Sequence, residues 1–249
     1  MEVHAHTHTP RKKWTHYLWE FIMLFLAVFC GFLAELQLEH KVEKNREKQY
    51  MKSMVEDLKS DTAMLINNIK QRREKIMMTD SLANLLASSF VNERGNDIYY
   101  YGRSISPPTN IFPNDGTIQQ LKSSGNLRLI HNTSISNSIM AYDQKMRTVL
   151  YEMGDEVEVR AEYRSLARKV FQTKIFYDMI ATDNISIPTN NPGLYSKVPD
   201  LLNEFIGAVQ YSKRIHQAQL IRSKELLTQA QKLMENIIKE YHLSERRTL

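Results

Sequence analysis

The stretch Tyr17-Leu-Trp-Glu-Phe-Ile-Met-Leu-Phe-Leu-Ala-Val-Phe-Cys-Gly-Phe-Leu-Ala-Glu-Leu-Gln-Leu38 carries no charge between Phe21 and Ala34, and Arg11, Lys12 and Lys13 introduce it. The strictly uncharged run is 14 residues, the length of a signal-peptide core or a buried helix when taken alone. Leu18, Trp19, Leu36 and Leu38 extend it, interrupted only by Glu20, Glu35 and Gln37. Twelve Leu, Ile, Phe or Val residues lie between 17 and 38; they contribute about −4 to −7 kcal/mol to membrane insertion, against about 2.5 to 3.5 kcal/mol for one central carboxylate. Glu20 and Glu35 sit near the ends, where snorkelling lowers that cost. Insertion wins. The expected anchor spans 17–38, with Trp14, Tyr17 and Trp19 as interfacial aromatics and Phe21, Leu24, Phe25, Phe29 and Phe32 in its apolar body.

A cleaved signal peptide is the main rival. Cleavage after Ala34 puts Phe32 at the −3 position, and cleavage after Gly31 puts Phe29 there, where a small residue is wanted. Cys30 follows Phe29, which disfavours lipoprotein processing. An uncleaved anchor is therefore expected. The basic cluster at 11–13 places the N-terminus in the cytoplasm; Lys41, Lys44, Arg46, Lys48 and Lys52 on the other flank argue the opposite way. The short basic tail is the harder segment to translocate, and it favours the first orientation, with the bulk of the chain outside the cytoplasm.

Residues 1–38 hold three basic and three acidic residues, so the net charge of +5 belongs to 39–249. Spread over that length it is no nucleic-acid footprint. The single cysteine, Cys30, falls inside the anchor, so the remainder has no disulfide and gives no redox signal.

Glycine and proline divide the rest. None occurs from Phe32 to Arg94; they crowd between Gly95 and Gly125, and a second group runs from Pro188 to Pro199. Between those groups only Gly154 appears, and after Gly207 there are none. Three long segments remain, each with apolar residues at helical steps. The first carries Met51, Met54, Leu58, Leu65, Ile69, Ile76, Ala83, Leu86 and Phe90; the second Ile135, Ile139, Tyr142, Met146, Val149, Met153 and Val157. The third carries Leu202, Ile206, Val209, His216, Leu220, Leu227, Ala230, Met234, Ile237 and Tyr241. The reading predicts a tail at 1–16, the anchor at 17–38, and a helical domain at 39–249. Its helices are expected near 39–91, 133–181 and 200–242, a short one at 117–124, and loops at 92–116 and 183–199. The fold class is mainly α: an N-terminal transmembrane helix continuing into an elongated antiparallel helical bundle with two irregular loop regions.

Within the first loop, Asp97-Ile98-Tyr99-Tyr100-Tyr101 has strand-like composition but no partner strand, and is read as irregular. Thr117 with Gln120 suggests a capping box. Gly125 supplies a left-handed stop, with Leu121, Leu127 and Ile130 as the apolar plug around it. Asn132 or Ser134 can cap the next helix.

The opening His-Thr-His-Thr-Pro-Arg-Lys-Lys-Trp, the segment Glu20–Glu35 and Arg46-Glu-Lys-Gln-Tyr50 resemble an uncharacterised family of single-pass membrane proteins of Gram-negative bacteria. The Leu121–Ile130 string is similar to a second motif of that family. The resemblance implies a domain of unknown function and so supplies no activity.

Glu20 and Glu35 are the sharpest chemical candidates, since ionisable residues within a span are costly. Fifteen positions apart, they stand about 22 Å apart along a helix, near opposite interfaces. Interfacial carboxylates are the plainer reading; a proton-coupled contact with a partner channel is the alternative. His4, His6 and His8 alternate and offer at most a weak cation clasp, and a polar tail is favoured. His216 falls on the apolar stripe and reads as a satisfied core histidine. Arg72, Arg73 and Lys75, like Arg246 and Arg247, read as solvated helix faces and ends. Tyr99 to Tyr101 with Arg103 suits either stacking on a sugar or peptide or packing of a loop. No catalytic, metal or cofactor motif is present in the sequence. The expectation is a non-enzymatic membrane-anchored scaffold that binds a protein partner or its own copies, not nucleic acid, and needs no cofactor. An accessory subunit of an ion-driven membrane complex, using Glu20, is the alternative.

Overall fold

The computed structural model describes residues 14–180 and 184–243. The histidines at 4, 6 and 8, the basic cluster at 11–13 and Arg246–Arg247 lie outside them. The fold is mainly α, and no strand occurs among the described residues. The helices are α1 (Trp14–Ala87), α2 (Gly95–Ile105), α3 (Gly116–Ser123), α4 (Thr133–Glu152), α5 (Gly154–Val170), α6 (Thr173–Asp178) and α7 (Pro199–Glu240), with 3-10 turns at Ser89–Asn92 and Asn126–Leu129. The chain forms two compact units, Met1–Gln49 and Tyr50–Leu249, and α1 contributes to both.

In the first unit α1 is long and apolar enough to cross a membrane, and none of its best 18-residue window is buried. Phe21, Phe25 and Phe29 stack along one face, with ring centroids 6.4 and 5.9 Å apart.

The second unit is built on two ladders of buried positions. On α1 they are Met51, Met54, Leu58, Asp61, Leu65, Asn68, Arg72, Lys75, Thr79, Leu82 and Leu86, strict alternating steps of three and four. On α7 they are Phe205, Val209, Ser212, His216, Gln219, Ser223, Leu226, Ala230, Leu233 and Ile237. Such a stripe faces one partner helix. In both helices the ladder is apolar at its ends and polar in its middle. Two apolar cores result. One joins Met51–Leu65 to α3, α4 and Leu226–Ile237; the other joins Leu82 and Leu86 to α2, α5 and Phe205–Val209.

Side-chain bonds give the directions. Asp80 pairs with Lys213, Arg72 with His216, and Asn68 with Ser223, so α7 runs antiparallel to α1. Residues 105–126 run back along α1: Lys75 donates to Ile105 O, Arg72 to Thr109 O, Asn68 to Asn110 O, and Asn126 to Tyr50 Oη. Tyr142 on α4 reaches Asp61 and Glu156 on α5 reaches Arg72, so α4–α5 ascend again. The order is up, down, up, down.

Several expectations need correction. Residues 97–101 are helical, inside α2. This helix buries Ile98, Tyr99, Gly102 and Ile105 on one face, with Asp97 in its first turn and Arg103 in its last, each charge suited to its end of the helix dipole. Burial there overrides the strand-like composition. The 92–116 stretch is thus only partly loop. The helix expected over 133–181 is three, broken at Met153 and at Phe171, whose extended backbone (φ −99, ψ 152) drops its ring into the core. Phe90, expected on the first stripe, is exposed beyond the end of α1. Thr117 forms no capping box: the side chain of Asp57 on α1 accepts from Thr117 N at 3.0 Å. Gly125 adopts φ 65, the left-handed region, and Asn132 caps α4 by accepting from Ser134 N and Ile135 N.

Gly102 is required by close approach. A Cβ there would lie 2.6 Å from Phe171 Cζ. That ring cannot swing away, because Tyr99, Phe205 and Phe176 surround it with centroids 4.9, 5.5 and 4.6 Å distant. Gly102→Ala is expected to destabilise the fold by about 1–3 kcal/mol through overpacking. Chemical denaturation would show a lower midpoint at unchanged slope.

Candidate functional site

Arg72 is the largest side chain fully removed from solvent, 0% exposed. Arg72 Nη1 meets Glu156 Oε2 at 3.0 Å and His216 Nδ1 at 3.2 Å. Its Nε donates to Asn68 Oδ1 at 3.1 Å, and its Nη2 to the Thr109 carbonyl at 2.8 Å. Four elements (α1, α5, α7 and the returning 106–115 segment) thus converge on one guanidinium. Burial pushes its pKa down and the Glu156 carboxylate opposes that; an arginine so paired stays a cation.

The surroundings complete a polar layer between the two cores. Glu156 also receives Arg160 Nη1 at 3.3 Å. Lys75 Nζ donates to the Ile105 carbonyl at 3.2 Å and to that of Pro107. Burial, then the neighbouring arginines against the attraction of Glu156, leave its pKa at about 8. Ser223 Oγ lies 2.9 Å from Asn68 Oδ1 and 2.8 Å from Gln219 O, with a single proton to share. Burial first, then Lys75, Arg72 and Arg160, push His216 down to about 3. It is neutral at physiological pH. Because Nδ1 accepts from Arg72, the ring proton sits on Nε2.

The reading of His216 as a core histidine matches its 3% exposure. The reading of Arg72 and Lys75 as solvated is overturned, since both are buried, whereas Arg73 beside them is exposed. A ladder stepping by three and four from Met51 picks out 72 and 75 and misses 73; that signal was present in the sequence. The cavity against Glu156, Arg160, Tyr163, Ser212 and His216 holds about 10 Å³, room for about one water molecule. Chemically the layer holds charges in fixed places and offers no space for a substrate.

The other predicted residues lie elsewhere. Trp14, Tyr17, Trp19, Phe21, Leu24, Phe25, Phe29 and Phe32 are all exposed on α1. Glu20 pairs with His16 one turn earlier at 3.0 Å, and Glu35 is exposed. Leu121 and Ile130 are buried, and Leu127 packs against the same core. Tyr99 is buried, accepting from Gln172 N and donating to Gly193 O, so it staples α2 to the 184–198 loop. No group of three His, Cys, Asp or Glu side chains among the described residues is placed to hold a metal ion. No family model matches this chain, and neither a curated protein nor a solved structure resembles it significantly.

Proposed function

We propose that the chain is a non-enzymatic, single-pass membrane protein whose Tyr50–Leu243 helical unit binds a protein partner or another copy outside the cytoplasm. The observation that carries the anchoring is the apolar window of α1, of which no residue is buried. A helix apolar on every face finds its low free-energy environment in lipid when its own fold does not cover it. Support for the binding half comes from Ile66 and Met77, 55% and 61% exposed. With Leu227 they line a groove between α1 and α7 whose polar rim is Lys70, Arg73, Glu74, Lys224 and Thr228. An apolar floor with a charged rim is the anatomy of a contact surface. The pairing of Glu20 with His16 supplies that carboxylate with a local partner and gives the ion-coupled alternative no added weight.

Fractionation tests this reading. The full-length chain is expected to stay in the pellet after carbonate washing of membranes, and a chain lacking residues 1–38 to move to the supernatant. Protease added to spheroplasts should degrade the 50–243 unit, and crosslinking of intact cells should trap a discrete larger species. A full-length chain in the carbonate supernatant, or one shortened near residue 34, overturns the anchor. An undegraded unit overturns the orientation, and crosslinked monomer alone overturns the binding role.

A further inference from the structure

Away from the polar layer, α2, α5 and α6 form a groove of about 540 Å³ whose lining includes Arg103, Arg164, Arg168, Ala161, Ala167 and Phe176. Three arginines face it and no carboxylate does. Elsewhere in this unit Arg72, Arg94, Arg147, Arg160 and Arg222 have acidic partners. Arg103 Nε is buried and lacks any hydrogen-bond partner, a defect that costs about 1–3 kcal/mol unless something fills it. The Arg103 guanidinium stands over the Phe176 ring, 6.0 Å from its centroid. Arg164 is braced, its Nε donating to Ser106 Oγ at 3.0 Å and its Nη2 to Ser106 O at 2.9 Å. That bracing aims a cation already crowded by Arg160 and Arg103, both of which depress its pKa after burial does.

Clustered like charges without counter-charge repel, and a native fold keeps them together at a cost. A bound anion would repay that cost, and guanidinium groups match phosphate and carboxylate oxygens through paired N–H donors. The Ser106 and Tyr163 hydroxyls, which also line it, are taken by Arg164 and the Gly102 carbonyl, and the remaining side chains are apolar: Ala161, Ala167 and the Phe176 ring. Its volume falls within the range of small-molecule sites.

We infer that this groove binds an organic phosphate bearing an apolar body, the phosphate held by Arg103, Arg164 and Arg168 and the body laid against Phe176, Ala161 and Ala167. The same chemistry is offered by a soluble phosphomonoester and by the headgroup of an anionic lipid. The inference does not depend on the proposed anchor, because every residue in it belongs to the 50–243 unit.

The test is calorimetric titration of the detergent-solubilised full-length chain with phenyl phosphate, short-chain phosphatidic acid, inorganic phosphate and phenol. At least one of the first two should bind tenfold or more tightly than inorganic phosphate, and phenol should not register. Binding by phenyl phosphate identifies a soluble source, and binding by the lipid alone identifies a headgroup. Arg103→Gln and Arg168→Gln should each weaken that binding about tenfold. The exposed Arg168 variant guards against misfolding and should melt like the parent chain. No binding by either organophosphate, equal binding by inorganic phosphate, or Arg168→Gln binding as the parent does, overturns the inference.

Discussion

Replacing Arg72 by Met is expected to destabilise the fold by about 3–5 kcal/mol. The cost is not the removal of an attraction so much as what is left behind. Glu156, with its side chain 7% exposed, retains Arg160 as its one ion pair, with Lys75 attracting it from farther off. The Thr109 carbonyl, Asn68 Oδ1 and His216 Nδ1 each lose their arginine donor, and a buried acceptor without a donor costs about 1–3 kcal/mol. For a unit near 200 residues each kcal/mol moves the melting temperature by about 2–4 °C, so a fall on the order of 10 °C is expected in a thermal melt. The double replacement Arg72→Met with Glu156→Gln removes the stranded charge and should recover about half of the loss. A single variant that melts within about 2 °C of the parent would show that the guanidinium is replaceable by water.

That double variant also addresses why a charged layer is there at all. A polar position in an otherwise apolar ladder costs stability and specifies register. Slipping α7 by seven residues in one direction sets Val209 against Arg72. In the other direction it sets Ala230 against Asn68, in the place of Ser223. Either slip leaves buried polar groups unmatched, whereas the apolar cores at the two ends would tolerate it. The hypothesis is that the layer selects one alignment. Full activity of the pairing without it, read as a single sharp melt and an unchanged Lys213–Asp80 proximity in the double variant, would refute that.

How far this was legible from residues alone differs by region. The apolar N-terminal part of α1 needed only composition, because hydropathy adds up residue by residue without regard to tertiary neighbours. The apolar ends of the two buried ladders, on α1 and α7, were legible too: Met51, Met54, Leu58 and Leu65, like Ala230 and Ile237, are both apolar and buried. The middle was not. A search for apolar residues loses the step at Asp61, Asn68, Arg72, Lys75 and Thr79, and drifts onto Ile76 and Ala83, which are only half-buried. On α7 the same drift selected Leu220, Leu227 and Met234, each one position past the buried Gln219, Leu226 and Leu233. The three-and-four step from Met51 reaches Arg72 and passes over Arg73, but the carboxylate that lets a guanidinium be buried there, Glu156, lies 84 residues away on another helix. No local pattern carries that. The arginine groove is similar, since Arg103 and Arg164 meet only through the return of the chain along α1.

Acidification is expected to unfold this unit early, and His216 is the reason. Its folded pKa, about 3, lies below the ordinary value of 6.5. Between those values the unfolded chain holds a proton that the folded chain does not, so stability falls as pH drops through 6.5 and goes on falling toward 3. One such site removes about 2 kcal/mol between pH 7 and pH 5. The ring cannot simply accept the proton in place, because a charged imidazole would be desolvated beside Lys75, Arg72 and Arg160, and would lose its role as acceptor for Arg72. Asp61 acts in the opposite sense. Burial raises its carboxyl above the ordinary value while Asn114 and Tyr142 hold it down, so the folded chain takes up its proton first and gains stability as pH falls further. Comparison with His216→Gln separates the two: the amide keeps an acceptor for Arg72 and does not titrate. The parent chain should lose melting temperature steadily from pH 7 to pH 5, and the variant should lose little over that interval while melting near the parent at pH 5. Parallel pH profiles for the two proteins would mean that His216 is protonated in the folded state, and that the layer around Arg72 is open to water.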